Sequence, residues 1–454
     1  MKTFLFRAGL PGLAFLAATG SAVVAQTPAS PPPLRTPWTL EDVLAAALTQ
    51  HPVIEAARAR VDAARGSRRT VGALPNPIAT YGVEDTSFPG QGLGTRLEPE
   101  RSAYVTFPLE AFFQRRPRID RADEGIRAAE AELATAERHT AREVARAFYR
   151  VALGQVAVVA AEENRSAVER LVEYLRARVA EGASPEADLI RAEVEREQTA
   201  TEVTLADVDL VRARSDLQPF LGSPSPPLDT LRVTVGEPSL AGAPLAPLAP
   251  IEQFTQHGSL RPELVSARAK VGAARAAAAY ERRLVIREAG ASFGLKRTSG
   301  VNSMIAGLSV SLPIFDRNRG EIDRATAERV AAERELAWIE RVVTAEVTGA
   351  YEVARRLSAR VAELQRTFLS RAEESSRITL AAYQEGAATL LQALDASRTL
   401  AAARLSYSRA VFAQRESLFD LMVAAGYDST TPIIGRLGME TASPDGTPRN
   451  GGQR

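Results

Sequence analysis

The sequence predicts a mainly α-helical protein that also carries part of a membrane β-barrel, built from two structural repeats. Three observations predict this. Helical periodicity runs without a break over about 119–180 and again over about 320–384, far longer than ordinary globular helices. Two pairs of segments switch to a period of two, each about ten residues long, the length a tilted strand needs to cross a bilayer. Finally, the first half recurs in the second. Pro52 to Arg65 aligns without gaps on Pro262 to Arg275, with eight of fourteen positions identical. Ile119-Asp120-Arg121-Ala122 returns as Ile322-Asp323-Arg324-Ala325.

The N-terminus reads as a secretory signal peptide over residues 1–25. Lys2 and Arg7 precede an apolar run, and Val23-Val24-Ala25 supplies small residues before Gln26. A retained anchor is the alternative; Pro11 and the shortness of the run speak against it. Residues 26–38 form a Pro-rich linker. Repeat 1 is expected over 39–221, a Pro-rich connector over 222–250, repeat 2 over 251–427, and a polar, disordered tail over 428–454.

Repeat 1 opens on a capping signal, Thr39-Leu40-Glu41-Asp42. The helix that follows is redirected at His51-Pro52 and broken at Leu74-Pro75-Asn76-Pro77. A β-hairpin is expected at about 77–109, with Ala79, Tyr81 and Val83 alternating on one strand and Ala103, Val105 and Phe107 on the other. A Gly-rich loop, Pro89 to Gly94, joins them; without a following Lys or a strand–helix context it is no phosphate loop. The first long helix is expected from Ile119 to Ala180, on the order of 90 Å at about 1.5 Å per residue. It turns at a tip spanning about 180–186, where Gly182 takes the left-handed position, Ser184 is the expected N-cap and Pro185 the first helical residue. In the connector, Leu231 to Val235 reads as a short strand. Repeat 2 places its β-hairpin at about 288–313, its long helix from Gly320 to Gln384, and its tip at about 383–389. There Gly386 ends one helix, and Thr389 with Gln392 forms a capping box for the next.

Composition removes several function classes. With 56 basic and 55 acidic residues the net charge is +1, so no nucleic-acid partner is expected. There is no cysteine, which excludes disulfides, thiolate metal sites and lipid attachment through Cys. The three histidines, His51, His139 and His257, lack ligand spacing, so no metal site and no cofactor are expected. G-x-S-x-G, H-E-x-x-H and P-loop patterns are absent from the sequence, which gives no reading as an enzyme.

Four membrane-length strands cannot close a barrel, and lipid does not tolerate open edges. The chain must therefore share its strands with copies of itself, most economically in a cyclic oligomer. This order of features resembles the TolC-type outer-membrane efflux family over Thr39 to Tyr427. The resemblance is carried by the Thr-Leu-Glu-Asp opening, the Leu-Pro-Asn-Pro element, the repeated strand–Pro–long-helix units, and Tyr383-x-x-Gly386 followed by Leu390, Leu394, Asp395 and Ala396. The Leu-Pro-Asn-Pro element and Val83-Glu84-Asp85 look most like its cobalt–zinc–cadmium branch. The resemblance implies a homotrimer in the lipid bilayer of the outer membrane, with a twelve-stranded barrel there and an α-helical barrel in the periplasm. It implies a passive exit channel for heavy-metal cations or drugs, joined through a periplasmic adaptor to an inner-membrane pump of the resistance-nodulation-division type. An alternative inside the family is a channel for type I protein secretion; outside it, a pore-less periplasmic coiled-coil scaffold, which would have no need of the β-hairpins.

The same resemblance implies that the tips meet the adaptor and close the aperture. Candidate residues are Gly182 and Asp188 in the first tip, and Tyr383, Gly386, Gln392 and Asp395 in the second. Asp395 reads either as one member of a ring of acids in the pore or as an exposed residue pairing with Arg398. Gln392 reads as a pore residue or only a cap. Tyr383 matches a tyrosine that latches against the first-tip acid, here Asp188. The family can also carry an Arg two residues after the tip Gly, where this chain has Ala388.

Overall fold

In the computed structural model the described residues are 37–84, 99–223, 225–235 and 248–427. The signal peptide, the linker up to residue 36, the Gly-rich loop, part of the connector and the tail lie outside them.

Each repeat begins with a bent pair of helices. Helix α1 (Leu40–Gln50) starts at Thr39, whose hydroxyl accepts from the Asp42 N–H while Asp42 accepts from the Thr39 N–H at 3.1 Å. Both orphan donors are thus satisfied locally. His51 is extended and Pro52 opens α2 (Pro52–Gly72). Arg58 reaches back to the end of α1, donating to the Leu48 carbonyl at 2.9 Å. In repeat 2, α5 (Ile251–Gly258) and α6 (Pro262–Arg283) reproduce the bend, and Arg268 donates to the Ser259 carbonyl at 3.3 Å. Arg58 and Arg268 are one of the identical pairs of the repeat. A cation at the C-terminus of a helix is favourable.

Strands β1 (Ile78–Glu84), β2 (Glu100–Pro108), β3 (Ala289–Thr298) and β4 (Val301–Val310) form one antiparallel sheet in the order β1-β2-β3-β4. The two hairpins, nearly two hundred residues apart in sequence, are therefore zipped into one ladder by β2 and β3. The β3–β4 connection is a two-residue turn in which Ser299 and Gly300 both have positive φ, 49° and 81°. That is the primed turn that matches strand twist. The ladder of β1 covers seven residues and ends where the described residues do.

The long helix α3 runs over Ala111–Ala180, eight residues earlier at its start than the periodicity predicts. Pro117 lies inside it. A proline in a helix frees the carbonyl four residues before it. Here that carbonyl belongs to Phe113, and Arg283 from repeat 2 donates to it at 2.6 Å. A tertiary contact thus supplies what the local sequence lacks. Helix α4 (Glu186–Leu217) returns from the tip.

The corresponding stroke in repeat 2 is interrupted. Helix α7 (Arg319–Glu363) passes through a π turn (Leu364–Phe368) into α8 (Leu369–Gln384), and α9 (Leu390–Ala424) returns. The interval from Ile322 to Gly386 is one residue longer than that from Ile119 to Gly182. A single π turn absorbs one inserted residue while keeping the helix going. In the connector the expected strand is reduced to one parallel bridge, Trp38 to Val233, with the Trp38 N–H donating to the Arg232 carbonyl at 2.9 Å.

The main core gathers α1, the middle of α3, the end of α4, the connector and α9 around Phe148, Val144, Leu217, Leu231 and Phe412. It takes in part of α3, a helix with a stretch apolar enough by length and composition to cross a membrane, of which 39% is buried. Beside it, the C-terminus of α9 is held by three side chains. Arg138 donates to the Val423 carbonyl, Arg261 to that of Ala424 at 3.4 Å, and His257 Nδ1 to that of Ala425 at 3.1 Å. Glu263 bridges Arg138 and Arg261, each at 2.9 Å, and Glu346 takes Arg261 at 2.5 Å. Buried charges of this kind persist only when paired.

Candidate functional site

Two regions carry functional geometry: the sheet and the helical tips.

The ladder register sorts the sheet into two faces. Along one face lie Ala79, Tyr81 and Val83; Ala103, Val105 and Phe107; Ala289, Ala291, Phe293 and Leu295; and Met304, Ala306, Leu308 and Val310. No polar side chain interrupts these rows short of the one at Val83, which also holds Arg101, Arg297 and Asn302. The opposite face is mostly small or polar, with Thr80, Ser102, Thr106, Ser292, Lys296, Ser303 and Ser309, and with Ile78, Val301 and Ile305 as apolar exceptions. Thr106 and Ser292 share a hydrogen bond of 3.0 Å across it. Gly294 on this face lies beneath Tyr104; a Cβ there would come within 2.4 Å of the Tyr104 Cβ.

The apolar face is bare. Met304 is 83% exposed and Leu308 81% exposed, with Tyr81, Phe293 and Leu295 also uncovered. Beyond the helix-bearing end of the strands, Phe112, Leu312, Ile314 and Phe315 stand in the open, Phe315 completely. Water would penalise such a surface, and a hydrocarbon phase would not. β1 and β4 remain unpaired along their outer edges in this sheet.

The tips are built by local rules and then locked together. Gly182 (φ 71°) and Gly386 (φ 79°) each end a helix in the left-handed conformation. Both ends make the paired Schellman bonds: the Ala183 N–H to the Arg178 carbonyl at 2.7 Å, and the Ala387 N–H to the Ala382 carbonyl at 2.8 Å. The second tip has its capping box. Gln392 accepts from the Thr389 N–H at 2.8 Å, and the Thr389 hydroxyl accepts from the Gln392 N–H at 3.3 Å. The Gln392 amide oxygen is thereby committed to the cap. The first tip differs from expectation. Pro185, not Ser184, is the N-cap, with extended backbone and no side-chain bond.

Between the tips lies a small apolar cluster of Val172, Leu175, Ala192, Leu390 and Leu394. Tyr383 packs on it and meets Tyr174 edge-on at 6.3 Å. Arg178 donates to the Tyr174 hydroxyl at 2.9 Å and to the Ala183 carbonyl at 3.0 Å. Burial and the negative charge of Asp188 push the Tyr383 phenol above its ordinary value, against the opposing charge of Arg178. Asp188 thus acts on Tyr383 through charge, while the ring contact is with Tyr174. Ala388 stands where the family can carry an Arg, yet a cation is present at the tips, supplied by α3 as Arg178.

Asp395 is exposed on the first turns of α9. The expectation that it could pair with Arg398 gives way to a different arrangement. Arg398 turns toward α4 and bonds Glu195 through Nε and Nη2, with Nε to the carboxylate at 2.6 Å. Glu195 is almost fully covered, its side chain 6% exposed. Sequence reasoning did not single out Tyr174, Arg178 or Glu195, and it gave Arg398 a different partner. The i,i+4 spacing of Tyr174 and Arg178 was a visible signal; the Glu195–Arg398 pair joins residues about two hundred positions apart and had none.

Two histidines are accounted for by packing: His257 stacks on Tyr427 at 4.1 Å and His51 on Phe220 at 5.5 Å. Among the described residues no group of three or more His, Asp or Glu is placed to hold a metal ion.

Comparison with known proteins agrees with this geometry. The family model described as "Outer membrane efflux protein" matches residues 43–223 and 257–427. The cobalt-zinc-cadmium resistance protein CzcC of Cupriavidus metallidurans is 27% identical over 391 residues, 86% of this chain and 89% of that protein. The nickel-cobalt-cadmium resistance protein NccC of Alcaligenes xylosoxydans xylosoxydans is 28% identical over 321 residues, 70% of this chain and 68% of that protein. Among solved structures, CusC, described in terms of folding and transmembrane channel formation, superposes with a TM-score of 0.71 at 19% identity, covering 86% of this chain and 92% of that one.

Proposed function

The chain belongs to the outer membrane efflux protein family, and from that premise we propose that it is the passive exit channel of a tripartite efflux system. The observation that carries this reading is the continuous apolar face of a four-stranded sheet whose two edges are open. A membrane sheet must close on itself. Three copies, each pairing its β4 with the β1 of the next, form a twelve-stranded barrel with the apolar face toward lipid and the small polar face toward the lumen. Helices α3, α4, α7, α8 and α9 then project together into the periplasm as a helical barrel.

At the far end the six tips of the trimer meet a periplasmic adaptor and restrict the aperture. Asp395 is free to face the lumen because Arg398 is engaged by Glu195. Three copies of its carboxylate attract cations. Tyr383, Asp188 and Arg178 hold the two tips of one chain against each other. Heavy-metal cations are the proposed cargo; the names of the two relatives, both resistance proteins for divalent metals, support it. A resistance-nodulation-division pump is the proposed inner-membrane partner, and selectivity lies with it.

The reading is tested by adding purified protein to planar bilayers. Discrete cation-preferring conductance steps are expected. A protein that stays soluble without detergent and never conducts sinks the channel. Asp395→Ala is expected to weaken divalent-ion block, and unchanged block removes Asp395 from the lumen.

A further inference from the structure

The row of the ladder just beyond the apolar face breaks its character. At this height β2 and β3 present Arg101 and Arg297, register partners directly opposite one another. Val83 and Asn302 flank them on β1 and β4. Both guanidinium groups are exposed and lie on the same face as Tyr81, Phe293, Leu295 and Met304. Like charges facing each other across strands are destabilising unless something neutralises them.

The nearest described acid does not do so. Glu100 is adjacent to Arg101 in sequence and therefore falls on the opposite face. There it is held by Lys296 and by the Thr298 hydroxyl at 2.8 Å. Among the described residues Arg101 and Arg297 have no ion-pair partner. Their height is equally telling. From Met304 to Val310, the end of β4, the apolar rows run for about 20 Å along the strand at about 3.4 Å per residue. Exposed Leu312 follows, and membrane barrels carry an apolar band about 25 Å tall. The helices leave from the opposite end of the strands. The arginine row therefore sits where the hydrocarbon ends on the outward side.

We propose that Arg101 and Arg297 form a binding site for the phosphate of an anionic lipid in the outward-facing leaflet of the outer membrane. One phosphate between two guanidinium forks satisfies both charges with bidentate bonds. Asn302 can donate a further bond from the β4 edge. The acyl chains lie along Leu295, Met304, Phe293 and Leu308, which offer the apolar surface directly below. The site rests on the channel reading only for its orientation in the membrane, and each copy of the chain carries one.

The test compares the full-length protein with an Arg101→Gln/Arg297→Gln variant, each in neutral-lipid nanodiscs titrated with bisphosphorylated lipid A, dephosphorylated lipid A or inorganic phosphate. Lipid retained on the protein is read by native mass spectrometry. The expected result is saturable retention of the bisphosphorylated lipid, at least tenfold weaker in the variant, with the dephosphorylated lipid not retained. Equal retention by both proteins overturns the site. Inorganic phosphate that binds as tightly as the lipid overturns the lipid assignment. Bilayer conductance of the same variant separates the two readings: both exposed residues can be changed without unfolding the sheet, so an active channel that retains lipid equally well loses this site alone.

Discussion

Helix α3 and the α7–α8 stroke occupy corresponding places in the two repeats, yet only one is packed along its whole length. Near the sheet the two agree. Val144 and Val347 are both buried, as are Val151 and Ala354, each pair keeping the spacing of Ile119 and Ile322. Past the π turn they part. Val168, Val172 and Leu175 of α3 are covered, whereas α8 buries no residue at all. With the one-residue shift, the matching positions in α8 are Ala372, Ser376 and Thr379. Repeat 1 therefore builds a tip that is packed within its own chain. Repeat 2 leaves a face of small and polar side chains open for a neighbour, as the proposed helical barrel requires. The extra residue in repeat 2 is harmless because it falls where the helix changes partners.

Deletions give the largest expected effect on this comparison. Removing Ala160 from α3 turns everything beyond it by about 100°. That takes Val168, Val172 and Leu175 off their cluster, at a cost on the order of 5 kcal/mol. Removing Arg366 from the π turn is expected to convert it to regular α-helix with the tip retained, changing stability by about 1 kcal/mol or less. Thermal melts of the two proteins should differ widely; equal loss would mean that the π turn is not an absorbed insertion.

Side-chain truncation comes next. Phe148→Ala empties a fully buried position in the main core and should cost about 3–5 kcal/mol in denaturant unfolding. Trp338→Ala on α7, a residue 65% exposed in the single chain, should cost less than about 1 kcal/mol in that chain but weaken subunit association, read by cross-linking. A trimer unaffected by the Trp338 change would argue that this face of α7 meets no neighbour.

The caps separate the two tips on a smaller scale. Thr389→Ala should lose about 1 kcal/mol because the hydroxyl that accepts from the Gln392 N–H goes. Ser184→Ala should be nearly neutral, since Pro185 occupies the N-cap without a side-chain bond. Equal costs would show that Ser184 caps its helix after all.

A pH titration makes the gentlest test, and it reports on the α9 terminus. Burial alone would raise the Glu263 carboxyl, but the hydrogen bond from Arg261 and the charge of Arg138 outweigh it and leave its pKa lowered from the usual 4.5. A lowered folded-state value means stability that is present above the unfolded pKa and lost as the pH falls through the folded one. Melting temperature should hold steady from neutral pH to about 5 and decline below 4.5, with a shallower decline in Glu263→Gln.

Much of this architecture was legible in the chain. The alternation of Ala79, Tyr81 and Val83, and of Phe293 and Leu295, marks a face, because strand side chains alternate by stereochemistry alone. Gly182 and Gly386 mark turns because only glycine takes positive φ without penalty. Thr389 and Gln392 announce their own cap. These signals are local, so a short stretch of sequence contains the whole cause.

Other features answer to residues far away. The start of α3 at Ala111 depends on Arg283 reaching the Phe113 carbonyl that Pro117 leaves free. The orientation of Arg398 depends on a buried Glu195 from the other repeat. The joining of two hairpins through β2 and β3 depends on a register set across nearly two hundred residues. By itself the sequence determined the repeat, the strand faces and the glycine turns of both tips, since sterics and periodicity act within a few residues. Only the tertiary structure decided which charges meet, where α3 begins and which helix face stays open, because those choices are made by groups that the fold alone brings together.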